Sequence, residues 1–329
     1  LSADTKTTRA SLELTAAAAI WGFGFVSTIW ALVAVGPLWL TTLRFLLAAV
    51  FTILLLALAR LVLRHKDVSP IALWAPQEFH RAFFPGAFIG LAITFQTKGL
   101  LFTTASRSGF ITTLYVIFVP ILERVFFSKK IHRAHALWVF LALLGTAMIC
   151  QLHTQGMPQS GQWLTGAIFG DSLTLIASVL AAGQIISVGR AASQVRSPFR
   201  FNAYQSLWAG LLTLPFAILI EGGPGAMIDR LWSKGDFKIL IAGVLFLTLG
   251  SSVLAFYLQV RSQRLLRSST ASMICLLESP FAAFFGWLIL SESFDRVQSL
   301  GAAILMISVV GSVLLETQKP ATVVEQIQS

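Results

Sequence analysis

Long apolar runs separated by short polar or charged clusters are the dominant pattern along the 329 residues, as in "FLLAAVFTILLLALA" (45–59) and "ILIAGVLFLTLGSSVLAFYL" (239–258). About 20 such residues in a helix cross the roughly 30 Å hydrocarbon core of a bilayer. Read in windows of about 19 residues, the chain predicts ten helices. The first five lie near 12–33, 38–60, 82–103, 107–128 and 132–151. The second five lie near 165–188, 201–220, 237–259, 268–290 and 297–316. The longest connectors, 61–81, 152–164 and 221–236, are rich in polar residues, Gly or Pro and read as loops, with no room for a soluble domain. The segment 317–329 is expected to be a disordered cytoplasmic tail. The first apolar run, from about Leu12, lacks a small-residue cleavage pattern and reads as a retained helix.

Composition agrees with a membrane setting. The chain is 56% hydrophobic and 12% charged, against about 25% charged residues in soluble domains, so it lacks the side chains for a polar shell. The expected fold class is all-α, a polytopic membrane protein. The net charge of +10 does not point to nucleic acid, because the cations fall in short loops between apolar runs, where they set orientation. With ten spans both termini share a side; 17 Lys and Arg residues lie on that side and 5 on the other, which places the termini in the cytoplasm. Only Arg44 and Lys98 remain within spans. Cys150 and Cys275 also fall in spans and read as small apolar residues. His132 and His135 sit at a loop without further ligands, so no metal is expected. No Walker A sequence is present, so ATP does not drive the protein directly. No cofactor is expected.

The sequence also repeats. Shifted by 161, "WGFGFV…GPLWLTTLRFLLAAV" overlies "AGQIIS…SPFRFNAYQSLWAGL", matching Gly22 to Gly183, Pro37 to Pro198 and Arg44 to Gln205. From the third span the shift becomes 163, and Gln96 overlies Gln259, Lys98 overlies Arg261, and Tyr115 overlies Glu278. Residues 1–151 and 152–316 thus form two five-helix repeats. Five is odd, so the copies are expected to enter the membrane from opposite sides, an architecture of transporters that places the substrate near the midplane.

"LESPFAAFFGWLILSESFDRVQSLGAAIL" (277–305) resembles the last two helices of the EamA family of the drug/metabolite transporter superfamily. "WGFGFV" (21–26) with "LRFLLAA" (43–49), "TTASRSGFITTLYVIFVPIL" (103–122) and "FGDSLTLIAS" (169–178) resemble its other helices in order. Where many members repeat the tryptophan of the first half, this chain has "SVLAAGQ" (178–184). The resemblance implies movement, with export as the favoured direction, of small metabolites such as amino acids across the inner or plasma membrane.

Candidate substrate contacts follow from cost. Glu278 lies about ten residues into the ninth span, and an ionised carboxylate facing lipid there costs about 2.5 kcal/mol or more. It is expected to face the interior, as a structural partner, as a ligand for a substrate amine or as a protonation switch. Tyr115 is either an aromatic core residue or its counterpart across the cavity. Arg44 pairs with a substrate carboxylate, snorkels outward, or pairs with Asp171. Trp21 and Phe25, four apart, form an aromatic wall or ordinary packing, and Gln96 and Gln259 bond across helices or to substrate. Pro120 and Pro280 kink their spans, for packing or for gating. Gly86 and Gly90 have the spacing of close helix packing. The partners are a small-molecule substrate and the lipid bilayer. A carrier for phosphorylated sugars or nucleotide-sugars is the alternative within transport, though it needs more cations at depth; a membrane-embedded lipid enzyme is the alternative of a different class.

Overall fold

Prolines begin several of the helices. Pro37, Pro76, Pro198 and Pro224 each open an element, where the missing N–H is not needed and the fixed φ already suits a helix. The computed structural model describes residues 3–63, 72–99, 101–102, 105–129, 133–149, 161–233, 237–290 and 296–317. The helices of the first half are α1 (Ala3–Leu32), α2 (Pro37–Leu63), α3 (Pro76–Arg81), α4 (Phe83–Gly99), α5 (Ala105–Thr113), α6 (Tyr115–Phe127) and α7 (Arg133–Ile149). The second half has α8 (Gly161–Ala192), α9 (Pro198–Glu221), α10 (Pro224–Ser233) and α11 (Phe237–Leu245), then a π-helical segment (Phe246–Ala255). It ends with α12 (Phe256–Ser262), α13 (Ser268–Cys275), α14 (Glu278–Leu290) and α15 (Arg296–Thr317).

Among the described residues every regular element is helical, and eight helices are long and apolar enough to cross a membrane, with Ala136–Ile149 a shorter apolar one. Large apolar side chains such as Leu219 and Phe126 point outward, 81% and 70% exposed, as lipid-facing surface does in a protein whose backbone bonds are satisfied internally. The expected tail at 317–329, apart from Thr317, and the positions of Cys150 and His132 lie outside the described residues.

Two connectors depart from the loop expectation. Residues 76–81 and 224–233 are short helices, because each starts on proline and carries apolar side chains to one side. Phe79 packs beside Tyr204 and Trp208 of α9, and Met227 and Leu231 pack on the cluster around Leu38 and Trp39. Two expected spans are also broken. Leu114 interrupts the fourth, and Leu276 with Leu277 interrupts the ninth. Pro280 has no N–H for the carbonyl of Leu276, which instead accepts from Ser279 N at 3.1 Å, tightening the chain at that point. Under the 163 shift the two breaks coincide although Pro120 and Pro280 do not, so Tyr115 and Glu278 each begin the helix that follows a break.

Helix pairing is reciprocal. α2 lies along α9 and α7 along α15, α4 packs on α8, and α1 packs on α11, the π segment and α12. α1 also meets α14, as α8 meets α6. Two carboxylates tie the halves together. Glu221, at the end of α9, accepts from Leu38 N (2.9 Å) and Trp39 N (3.1 Å) at the start of α2. Glu78, on α3, accepts from Arg196 N (2.8 Å) and Ser197 N (3.3 Å) ahead of α9. Glu221 fills N–H groups that the start of α2 leaves without partners, and Glu78 holds the two N–H groups just ahead of α9.

Glycines set the closest approaches. Gly86 and Gly90 lie against α9, where a Cβ on Gly90 would sit 2.9 Å from Ala209 O. A Cβ on Gly145 would lie 2.6 Å from Gly301 O, and one on Gly301 the same distance from Gly145 O. Both obstacles are backbone, so α7 and α15 would have to separate. Gly301→Ala is expected to lose about 1–3 kcal/mol, read as a lower melting temperature in detergent; an unchanged melt would mean the two helices slide apart at no cost.

Candidate functional site

The broken spans, α1, α2, α4, α8 and the π segment enclose a cavity of about 130 Å³, room for on the order of ten waters. Trp21, Phe25, Arg44, Gln96, Tyr115, Gln259 and Glu278 all line it. Pro120 and Pro280 do not; they sit within α6 and in the first turn of α14.

Glu278 reaches the cavity because α14 comes very close to α1. A Cβ on Gly22 would stand 2.6 Å from Phe281 Cβ and 2.8 Å from Ala282 N, so a side chain larger than hydrogen there would push α14, and Glu278 with it, away from Trp21. As the first residue of α14 the carboxylate also sits at the positive end of that helix. Its electrostatic partner is Arg44, on the same cavity.

Arg44 is 7% exposed. It does not snorkel, and its hydrogen bonds go to the π segment: Nε donates to Ser252 Oγ (3.0 Å) and Nη2 to Ser251 Oγ (2.6 Å). The Nε–Nη2 edge, which would otherwise fork onto a carboxylate, is therefore occupied by two hydroxyls, and only the Nη1–Nη2 end is left for an anion. The guanidinium also lies 5.2 Å from the Phe45 ring centroid.

Aromatic and amide groups make up most of the remaining wall. Trp21 packs on Phe256 with centroids 5.1 Å apart. Trp21 Nε1 and the Tyr115 hydroxyl are buried with no hydrogen-bond partner among the described residues, two polar groups left over beside the cavity. Gln96 donates to Thr112 Oγ1 at 2.9 Å. Its repeat counterpart Gln259 forms a reciprocal amide pair with Gln184, at 3.1 and 3.2 Å. Lys98 lies 5.9 Å from the Phe102 ring centroid and is not on the cavity wall.

Gln184, Ser251, Phe256 and Cys275 also line the cavity without having been singled out in the sequence. Cys275, read there as apolar filling, belongs to the wall. Gln184 carried a usable signal, an uncharged amide in the middle of an apolar run and close to where the family pattern departs.

Known proteins resemble this chain along most of its length. The EamA-like transporter family profile matches residues 9–151 and 168–314. An uncharacterized transporter of Archaeoglobus fulgidus is 28% identical over 302 residues, covering 92% of this chain and 84% of its own. The uncharacterized transporter YetK of Bacillus subtilis is 25% identical over 290 residues, 87% and 81% of the two chains. A solved crystal structure superposes with a TM-score of 0.71 over 95% of this chain and 99% of its own, at 17% identity, which shows a shared fold. A profile that matches both halves, on a helical membrane chain, decides the matter: this protein belongs to the EamA-like transporter family.

Proposed function

We propose that the chain is a secondary transporter that exports small zwitterionic metabolites, amino acids in particular, by alternating access around the cavity. The observation that carries this reading is the meeting of Arg44 and Glu278 on one small, aromatic-walled cavity. A carboxylate at the free end of Arg44 and an ammonium at Glu278 would pair both substrate charges, and the apolar wall would take the side chain. Reciprocal helix pairing and the coincident breaks support ten spans arranged as two inverted five-helix repeats, which would rock about the cavity. The excess of 17 cations over 5 supports both termini being cytoplasmic in the inner or plasma membrane. Phosphorylated sugars fit less well, since among the described residues Arg44 is the one Lys or Arg lining the cavity and its forked edge is taken.

Reconstitution in liposomes tests this directly. Protein-dependent flux of labelled amino acids is expected, saturable and competed by other zwitterions of similar size. Flux of sugar phosphates without amino-acid flux would overturn the reading.

A further inference from the structure

The π-helical segment Phe246–Ala255 gives the cavity its shape, and something outside the cavity holds it in that register. Leu247 and Phe256 both line the cavity although they are nine residues apart. Nine residues are about two and a half turns of an α-helix, which would put the two side chains on opposite faces; the wider π turn brings them to one. The same widening places consecutive side chains closer together around the axis, so that Ser251 and Ser252 both reach Arg44. A π segment, with its i→i+5 pattern, is rare and frequently lies at a functional site, and side-chain donors to its carbonyls can hold it in place.

Asn202 on α9 supplies them. Its Nδ2 donates to Ser252 O and Val253 O, both at 3.0 Å, and its Oδ1 accepts from Gln205 Nε2 at 2.9 Å. Asn202 is fully buried and is not a cavity-lining residue. Gln205 continues the network, accepting from Gln184 Nε2 at 3.4 Å, so the Arg44 end of the cavity and the Gln184–Gln259 pair are joined behind its wall.

We propose that Asn202 is a positioning residue of the transport site: by bonding two carbonyls of the π segment it fixes the register that aims Ser251 and Ser252 at Arg44 and Phe256 at Trp21. Its consequence for substrate rests on the transport reading above; its structural core does not. Loss of the two donors removes a tie that holds the π register, and a segment that relaxes to α rotates Phe256 out of the cavity and turns Leu254, now 45% exposed on the outer face, toward it.

The test is cysteine labelling of the full chain in native membranes, with Cys150 and Cys275 replaced by alanine and single cysteines at 254 or 256. The probe is the water-soluble reagent methanethiosulfonate ethylammonium. With Asn202 present, position 256 is expected to label faster than 254. In Asn202→Leu, which keeps the branching and the number of side-chain heavy atoms but has no donors, the order is expected to reverse. Asn202→Ser, with one donor, is expected to give a ratio between the two, and it decides the matter if the leucine variant does not fold. An unchanged ratio in a folded variant overturns the proposal. In liposomes, Asn202→Leu and the pair Ser251→Ala with Ser252→Ala are each expected to raise the KM for amino-acid flux, and Asn202→Leu to add little to the pair; a fall in maximal rate alone, or full additivity, overturns the proposal. Labelling needs no substrate, so absence of amino-acid flux would count against the transported class while the ratio still judges Asn202.

Discussion

Glu278→Gln is expected to lower amino-acid transport efficiency in liposomes by about ten- to a hundredfold, the equivalent of the roughly 1.5–3 kcal/mol carried by a hydrogen bond to a charged group. Glutamine keeps the length and the hydrogen-bonding oxygen, so the cavity at the start of α14 keeps its shape while losing the charge that a substrate ammonium would meet. Stability is expected to change little. The variant loses attraction to Arg44, yet it also no longer holds a carboxylate away from water, and those contributions oppose each other. Melting temperature and the size-exclusion profile in detergent would verify this. Two transport modes then separate the roles of the carboxylate. Loss of both net uptake and substrate counterflow marks a substrate contact, whereas loss of gradient-driven uptake with counterflow retained marks Glu278 as the carrier of a coupled proton. Unchanged rates in both modes would remove Glu278 from the site.

That Glu278 and Arg44 were legible in the sequence follows from the price of charge in hydrocarbon: any ionised side chain deep in an apolar run needs a polar surrounding. Trp21, Phe25, Gln96, Tyr115 and Gln259 came from repeat alignment and helical spacing, and the structure brings them to the same cavity. What escaped was of another kind. Ser251 and Ser252 are ordinary small residues in an apolar helix until the π register turns both toward Arg44, and a hydropathy window cannot register one extra residue per turn. Asn202 answers carbonyls fifty residues ahead of it, and Glu221 caps a helix start 183 residues behind it. Such pairings exist only after the helices have packed. The breaks at Leu114 and at Leu276 with Leu277 are hidden for a related reason, since Pro120 and Pro280 do not align under the repeat while the interruptions do.

Glu78→Ala is expected to be the most destabilising single substitution considered, costing about 3–5 kcal/mol, as breaking one side of a buried ion pair does. Glu78 is 4% exposed and Arg200 5%. One carboxylate oxygen takes Arg200 Nε and Nη2, each at 2.8 Å, while the other takes the backbone N–H groups of Arg196 and Ser197. Arg200 Nη1 donates to Ala72 O as well, so the guanidinium is held in place and cannot swing into water when its partner goes. Alanine would leave a buried cation and two backbone donors unanswered at the start of α9. The double variant Glu78→Ala with Arg200→Leu is therefore expected to be more stable than Glu78→Ala alone, because it removes the stranded charge along with the bond. Thermal unfolding in detergent reads both. A single variant that melts with the wild type, or a double variant that falls by the sum of the two single losses, would show that the carboxylate does not hold α3 against α9.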